Sequence, residues 1–319
     1  MPEVSVIIPL YNKEKDILHT LESLRKQTFS QFEAIVVNDG STDSGVEIVK
    51  TFGDPRIRIF DKKNEGVART RNLGVNKATA PLIAFLDADD FWYPNHLQNL
   101  IALSTSFPQG KWFATAYEKK HTPDFTTAMI SPLMKKHPWQ GEVPDYFANS
   151  LTDALAWTSA VAMKKDFFLA LRGFDATITN GAGEDTDLWL RAALESPLIF
   201  TTEISATHNL IGSNRISFTP TKKRVFMNPD KYEATATHYP SLKKYLDVNR
   251  FSFALQHKLA GDSKTFHHYR NTLNPENLNQ KQRFLLKQPR WVLIMLKKLK
   301  RIMENMGVRI TAFERKNQN

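Results

Sequence analysis

The stretch Pro81-Leu82-Ile83-Ala84-Phe85-Leu86-Asp87-Ala88-Asp89-Asp90 constrains the fold more than any other part of the sequence. An apolar run stops at three carboxylates within four positions. A strand of that composition belongs in a core, where an unpaired carboxylate is prohibitively costly. The carboxylates therefore mark the strand's end and sit in water or around a cation. Alternation of Asp87 and Asp89 lets two oxygens converge on one point, which suits hard divalent cations such as Mg²⁺ and Mn²⁺. The competing reading is an acidic turn that caps the next helix. What surrounds the stretch decides between them.

Val4-Ser5-Val6-Ile7-Ile8-Pro9 reads as a buried strand, followed by a helix over 13–27 with Ile17, Leu18, Leu21 and Leu24 at helical spacing. A second strand, Phe32 to Val37, ends at Asn38-Asp39-Gly40-Ser41. Val46, Ile48 and Val49 predict a helix, Ile57 to Phe60 a third strand, and Gly66 to Asn76 a further helix that leads into the Pro81–Leu86 run. Four strand–helix alternations with short connections predict an α/β fold with a parallel sheet covered on both faces. Such sheets bind ligands outside the carboxyl ends of their strands. Tyr11-Asn12, Asp39 and Asp87-Asp89 all fall there, which moves the acidic turn away from a simple helix cap.

The 319 residues are 41% apolar, with 21 Phe and 6 Trp, so a large core is expected and global disorder is excluded. With no cysteine there is no disulfide, thiolate metal site or thiol nucleophile. That composition, an N-terminus unlike a signal peptide, and the lack of an uncharged run of roughly 18–20 residues predict a cytoplasmic protein, soluble or peripheral at the inner face of the cytoplasmic membrane. Charge divides the chain near residue 219. Residues 1–219 carry 22 Lys+Arg against 26 Asp+Glu, whereas 220–319 carry 21 against 7. The body therefore has no bulk charge for nucleic acid, while the tail suits an anionic surface.

VSVIIPLYN, VVNDGSTD, NEGVARTRNLG and FLDADD, in that order and spacing, resemble the nucleotide-binding half of a family 2 glycosyltransferase. WTSAVAMKKDFFLALRGFDATITNGAGEDTDLWLRAAL resembles the second half of the same family. The resemblance implies a GT-A fold over 1–219, with a mostly parallel central sheet flanked by helices, and leaves 220–319 as a basic, mainly helical extension. It implies inverting, metal-dependent transfer of a hexosyl or N-acetylhexosaminyl group from a UDP-linked donor. The acceptor would be a hydroxyl of a glycan or lipid-linked molecule in bacterial envelope polysaccharide synthesis. Pro9, Tyr11, Asn12, Asp39, Asn64, Gly66, Arg71, Asp87 and Ala88 would hold the nucleotide, with Asp39 accepting from uracil N3. Asp89, Asp87 and His208 would hold Mn²⁺ or Mg²⁺, and Asp185 matches the catalytic base. Asp90 is left as a further ligand or a helix cap, Glu184 and Asp187 as charges at a helix start, and Ser213 and Arg215 as candidate phosphate contacts.

The Rossmann fingerprint G-x-G-x-x-G is absent after the first strand, which disfavours a dehydrogenase. A sugar-1-phosphate nucleotidyltransferase shares the architecture but typically has a Gly-rich loop where this chain has Pro9-Leu10-Tyr11-Asn12-Lys13. A catalytically silent, membrane-associated sugar-binding module would have little use for Asp185 beside a metal site. Residues 119–150 show no period and are either an acceptor-side element or a surface insertion. In the tail, Val292, Met295, Leu299, Ile302 and Met306 form one helical stripe within 289–306, with Lys297, Lys298, Lys300 and Arg301 off it. Such a basic amphipathic helix either lies on an anionic membrane surface or packs its stripe on the body.

Overall fold

The computed structural model describes residues 1–309 and 311–313; residues 310 and 314–319 of the expected C-terminal region lie outside it. β1 (Val4–Leu10), β2 (Phe32–Asn38), β3 (Ile57–Asp61) and β4 (Leu82–Phe85) pair in parallel in the order β3-β2-β1-β4. The connections are α1 (Ile17–Arg25), α2 (Gly45–Thr51) and α3 (Val67–Lys77). β1 and β2 are buried almost residue by residue, which is why they read as continuous apolar runs rather than as alternation. α3 lies close on this sheet at Gly74, where a Cβ would come within 2.4 Å of Ile7 Cγ2.

The sheet continues through β5 (Phe91–Trp92), α4 (His96–Ser106), β6 (Trp112–Thr122), β7 (Phe125–Ala128), β8 (Gln140–Glu142), α5 (Tyr146–Asn149), β9 (Val161–Lys164), α6 (Lys165–Ala170), α7 (Glu184–Glu195) and β10 (Ile199–Asn209). β9 sits between β4 and β6, antiparallel to both, and β10 runs parallel to β6. The unbroken parallel run thus belongs to the first four strands, and the second half of the same sheet is mixed. The strand expected at 112–117 extends to Thr122 because its last residues form a hairpin with β7. Residues 119–150 hold two short strands, a 3₁₀ turn and one turn of α-helix. Pieces so short leave no period to read.

The tail is helical, as expected: α8 (Glu233–Ala236), α9 (Pro240–Ala260), α10 (Ser263–Thr272), α11 (Gln280–Lys287) and α12 (Arg290–Asn305). α9 buries Leu242, Leu246, Phe251 and Ala254 in the same core cluster as Trp112. Its fully buried Arg250 is matched by Asp247 at 3.1 Å, Asp230 at 2.7 Å and Glu233 at 2.5 Å, so the burial leaves no unpaired charge. α12 buries Leu293, whereas Met295, Leu299, Ile302 and Met306 are 60, 51, 55 and 70% exposed. Four of the five stripe residues therefore face away from the body, and only Val292 is half-buried. Among the described residues no helix is long and apolar enough to cross a membrane.

Candidate active site

The carboxyl ends of β1, β2 and β4 and the start of α7 open onto one cavity of about 500 Å³. Of the residues expected from sequence, Pro9, Tyr11, Asp39, Asn64, Gly66, Arg71, Asp87, Ala88, Asp89, Asp185 and His208 all line it. Asn12 does not line it. Its carboxamide oxygen accepts from the Thr42 amide at 2.7 Å, and its own amide donates to Ser41 Oγ at 3.1 Å. Asn12 therefore ties the turn after β1 to the turn after β2.

The three carboxylates after β4 have three different environments. Asp87 accepts from Arg71 Nη2 at 2.6 Å. Asp89 accepts from Lys13 Nζ at 2.6 Å. Asp90 is buried and accepts from Ser159 Oγ at 2.7 Å and the Asn209 amide at 2.9 Å. Burial, together with the charges of Asp89 and Asp87, pushes the Asp90 carboxyl well above the usual range. Asp90 is thus a strut that ties the turn after β4 to the turn before β9 and to the end of β10. The next helix starts six residues later with Asn95 at its N-cap, so Asp90 is not its cap.

Asp39 is also buried, and accepts from Lys62 Nζ at 2.5 Å and from the amides of Glu65 and Gly66 at 2.9 Å each. It thereby pins the loop that carries Asn64 and Gly66 into the cavity. Gly66 has φ +93°, a backbone state that disfavours other residues. A carboxylate has about four acceptor sites, so three donors leave room for one ligand N–H.

Arg71 is buried and joins the two halves of the site. Its guanidinium reaches Asp87 at 2.6 Å and Glu184 at 3.5 Å, and stacks over Phe174 at 5.2 Å. Arg69, two residues away, is exposed. α7 begins at Glu184 after Gly183, and its buried Leu188, Trp189 and Leu190 hold the helix start rigidly against the sheet. Asp185 Oδ1 accepts from the Thr186 amide at 2.6 Å. Asp187 instead faces the protein, paired with Arg191 at 2.8 Å and with the Tyr232 hydroxyl at 2.5 Å.

Glu184, expected as a charge at a helix start, does more than that. It lines the cavity, its Oε2 has no hydrogen-bond partner among the described residues, and burial next to Asp185 raises its pKa from 4.5 to about 7 against the pull of Arg71. The folded state therefore holds this proton more tightly than the unfolded chain does. The resulting stabilisation is complete below about pH 4.5 and is lost as pH rises to about 7. Glu184→Gln should escape this loss. Urea denaturation of both proteins should show the variant gaining on the wild type by on the order of 2–3 kcal/mol between pH 5 and pH 8. A pH-independent difference would remove the shift. Lys13, Ser159 and Trp157 were missed in the sequence. Trp157 stacks on His208 at 4.8 Å between ring centroids and lines the cavity.

The donor set fits a small divalent ion in one specific sense. Among the described residues no group of three His, Cys, Asp or Glu is placed to hold a metal unaided. Mg²⁺-type sites need only one or two carboxylates when substrate phosphates and water complete the shell. Asp89, with Asp87 beside it, supplies that much at the cavity wall. His208 is kept neutral by burial and by Arg215, the form a metal requires. Its Nε2, however, lies 3.2 Å from Arg215 Nη2 and would have to exchange that partner.

A family model described as glycosyl transferase family 2 matches residues 5–148. An uncharacterized glycosyltransferase of Rickettsia bellii is 48% identical over 97 residues, covering 30% of this chain and 14% of that protein. The glycosyltransferase YibD of Escherichia coli is 42% identical over 104 residues, covering 32% and 30%. The matched segment thus spans less than a third of either relative. Residues 1–349 of Staphylococcus aureus TarS, solved with UDP-GlcNAc, share the fold with a TM-score of 0.60 at 19% identity, covering 90% of this chain and 78% of that one. The family match takes in β1 to β4 with Asp39, Asp87 and Asp89 at their ends, and the likeness of fold extends over 90% of the chain. Residues 5–148 thus match the glycosyl transferase family 2 model, and the chain shares the GT-A fold of its structural neighbour.

Proposed function

We propose that this chain transfers a sugar from a UDP-linked donor to an acceptor hydroxyl, with inversion at the anomeric carbon and with a divalent metal, Mn²⁺ or Mg²⁺. The observation that carries the reading is that Asp39, Asp87, Asp89 and Asp185 line one cavity although they come from three separate segments. Asp39 accepts from the base, and Tyr11, Asn64 and Gly66 flank the nucleoside. Arg71 keeps Asp87 oriented. Asp89, with Asp87 beside it, would hold the divalent ion, which when bound would supply Lewis-acid stabilisation of charge on the departing diphosphate. Asp185 takes the proton of the acceptor hydroxyl as the new bond forms. Attack opposite the diphosphate in a single displacement turns an α-linked donor into a β-linked product. The TarS structures with UDP-GlcNAc and with UDP support the choice of nucleotide. Nucleotide release over UDP-, GDP- and dTDP-sugars with Mn²⁺ tests the reading. Release from a UDP-sugar is expected, and release from GDP- or dTDP-sugars alone would contradict the assignment of Asp39 to uracil.

The acceptor in this reading is an envelope glycan or a lipid-linked saccharide. The exposed stripe of α12 brings the chain to the anionic inner surface of the membrane that carries it. Trp291 at the helix start is 64% exposed, and Lys298 and Arg301 lie within one turn of Met295 and Leu299. Apolar burial in the interface and attraction to anionic headgroups then act together. The wild type should float with vesicles rich in anionic lipid at low salt, and a Met295→Glu/Leu299→Glu variant should not. Because both side chains are exposed, the variant should fold. Equal flotation would rule out α12 as the contact.

A further inference from the structure

Lys13 holds one of the two carboxylate oxygens that Asp89 could offer a metal. Its ammonium donates to Asp89 Oδ2 at 2.6 Å and also to the Ser213 carbonyl, and the two side chains of the pair are only 12% and 15% exposed. The segment 211–215 is fastened around this contact. Asp16 accepts from the Ser213 amide at 2.9 Å and from its hydroxyl. Asn214 Nδ2 donates to the carbonyls of Tyr11 at 3.3 Å and Asn12 at 3.4 Å, at the end of β1. Gly212 lies so close to Asp89 that a Cβ would come within 2.8 Å of Oδ2. One ammonium thus ties the carboxylate to a loop folded across the end of β1.

A divalent ion bonds a carboxylate oxygen at about 2.0–2.2 Å. On the oxygen that Lys13 already holds, it would lie within a few ångströms of a second positive charge, and like charges at that range in a buried site repel strongly. On that oxygen the two cations would exclude one another. We propose that Lys13 is an internal cation that occupies Asp89 until a divalent ion displaces it, so that metal binding and release of the 211–215 loop from β1 are one event. Lys13 is then a positioning residue: it keeps the buried carboxylate paired in the empty protein and makes the cavity open as donor and metal arrive. The proposal rests on the assignment of Asp89 as the metal ligand.

The test is Mn²⁺ binding without nucleotide, followed by water-proton relaxation, for the wild type, Lys13→Gln and Lys13→Met. Gln keeps a donor for Asp89 and Ser213 without the charge, so it protects the fold if Met does not. Both variants should bind Mn²⁺ at least about tenfold more tightly than the wild type. Hydrogen exchange at the Ser213 amide should speed up when Mn²⁺ and UDP are added to the wild type, and should already be fast in the variants. Equal Mn²⁺ affinities, or weaker binding by the variants, would overturn the proposal. Absence of Mn²⁺ binding in all three proteins, with UDP as well as without, would instead overturn Asp89 as the ligand.

Discussion

Asp185→Asn should fold as the wild type does, bind donor with unchanged affinity, and turn over about 10²–10⁴-fold more slowly, the usual contribution of a positioned general base. The fold should survive because the start of α7 is held by Leu188, Trp189 and Leu190, all buried, and not by Asp185. An Asn side-chain oxygen can still accept from the Thr186 amide, which Asp185 Oδ1 does at 2.6 Å. What the amide cannot do is take a proton. Affinity for donor should hold because nucleotide contacts come from the strand ends on the other side of Arg71. A fall in kcat with unchanged donor KM is therefore the expected signature. Near-wild-type turnover would take the base role away from Asp185.

Asp89→Ala should lose about 10²–10³-fold in turnover, comparable with the loss of one preorganised electrostatic contact to a transition state. The dependence of rate on Mn²⁺ should largely disappear with it. Asp87 cannot substitute, because one of its oxygens is engaged by the buried Arg71 at 2.6 Å. Asp90 cannot either, being enclosed between Ser159 and the Asn209 amide and pushed by burial toward its neutral form. Initial rates over a Mn²⁺ series check this. A variant that keeps wild-type rates and metal dependence would move the metal away from Asp89.

The first four strands were legible because each is a short apolar run whose polar end residues fall on one side of the sheet. That alone puts Asp39, Asp87 and Asp89 at a common edge of the sheet. The division of labour among Asp87, Asp89 and Asp90 was not legible. It depends on Ser159, Asn209, Arg71 and Lys13, whose distance along the chain hides them from any local pattern. Glu184 looks like an ordinary acidic residue at a helix start. It becomes a raised carboxyl only because the fold buries it between Asp185 and Arg71. For α12 the sequence allowed two orientations of the apolar stripe, and only packing decides: Leu293 is buried, and Met295, Leu299, Ile302 and Met306 face outward. Asn12 does not line the cavity, and its side chain is engaged by the Thr42 amide in the turn after β2.

The most direct test of a site divided between a donor-and-metal half and a base half is calorimetric titration of UDP with Mn²⁺ into the wild type, Asp89→Ala and Asp185→Asn. Wild type and Asp185→Asn should bind with the same affinity, and Asp89→Ala should show no Mn²⁺-dependent binding. Unchanged Mn²⁺-dependent affinity in Asp89→Ala, or its loss in Asp185→Asn, would contradict that division.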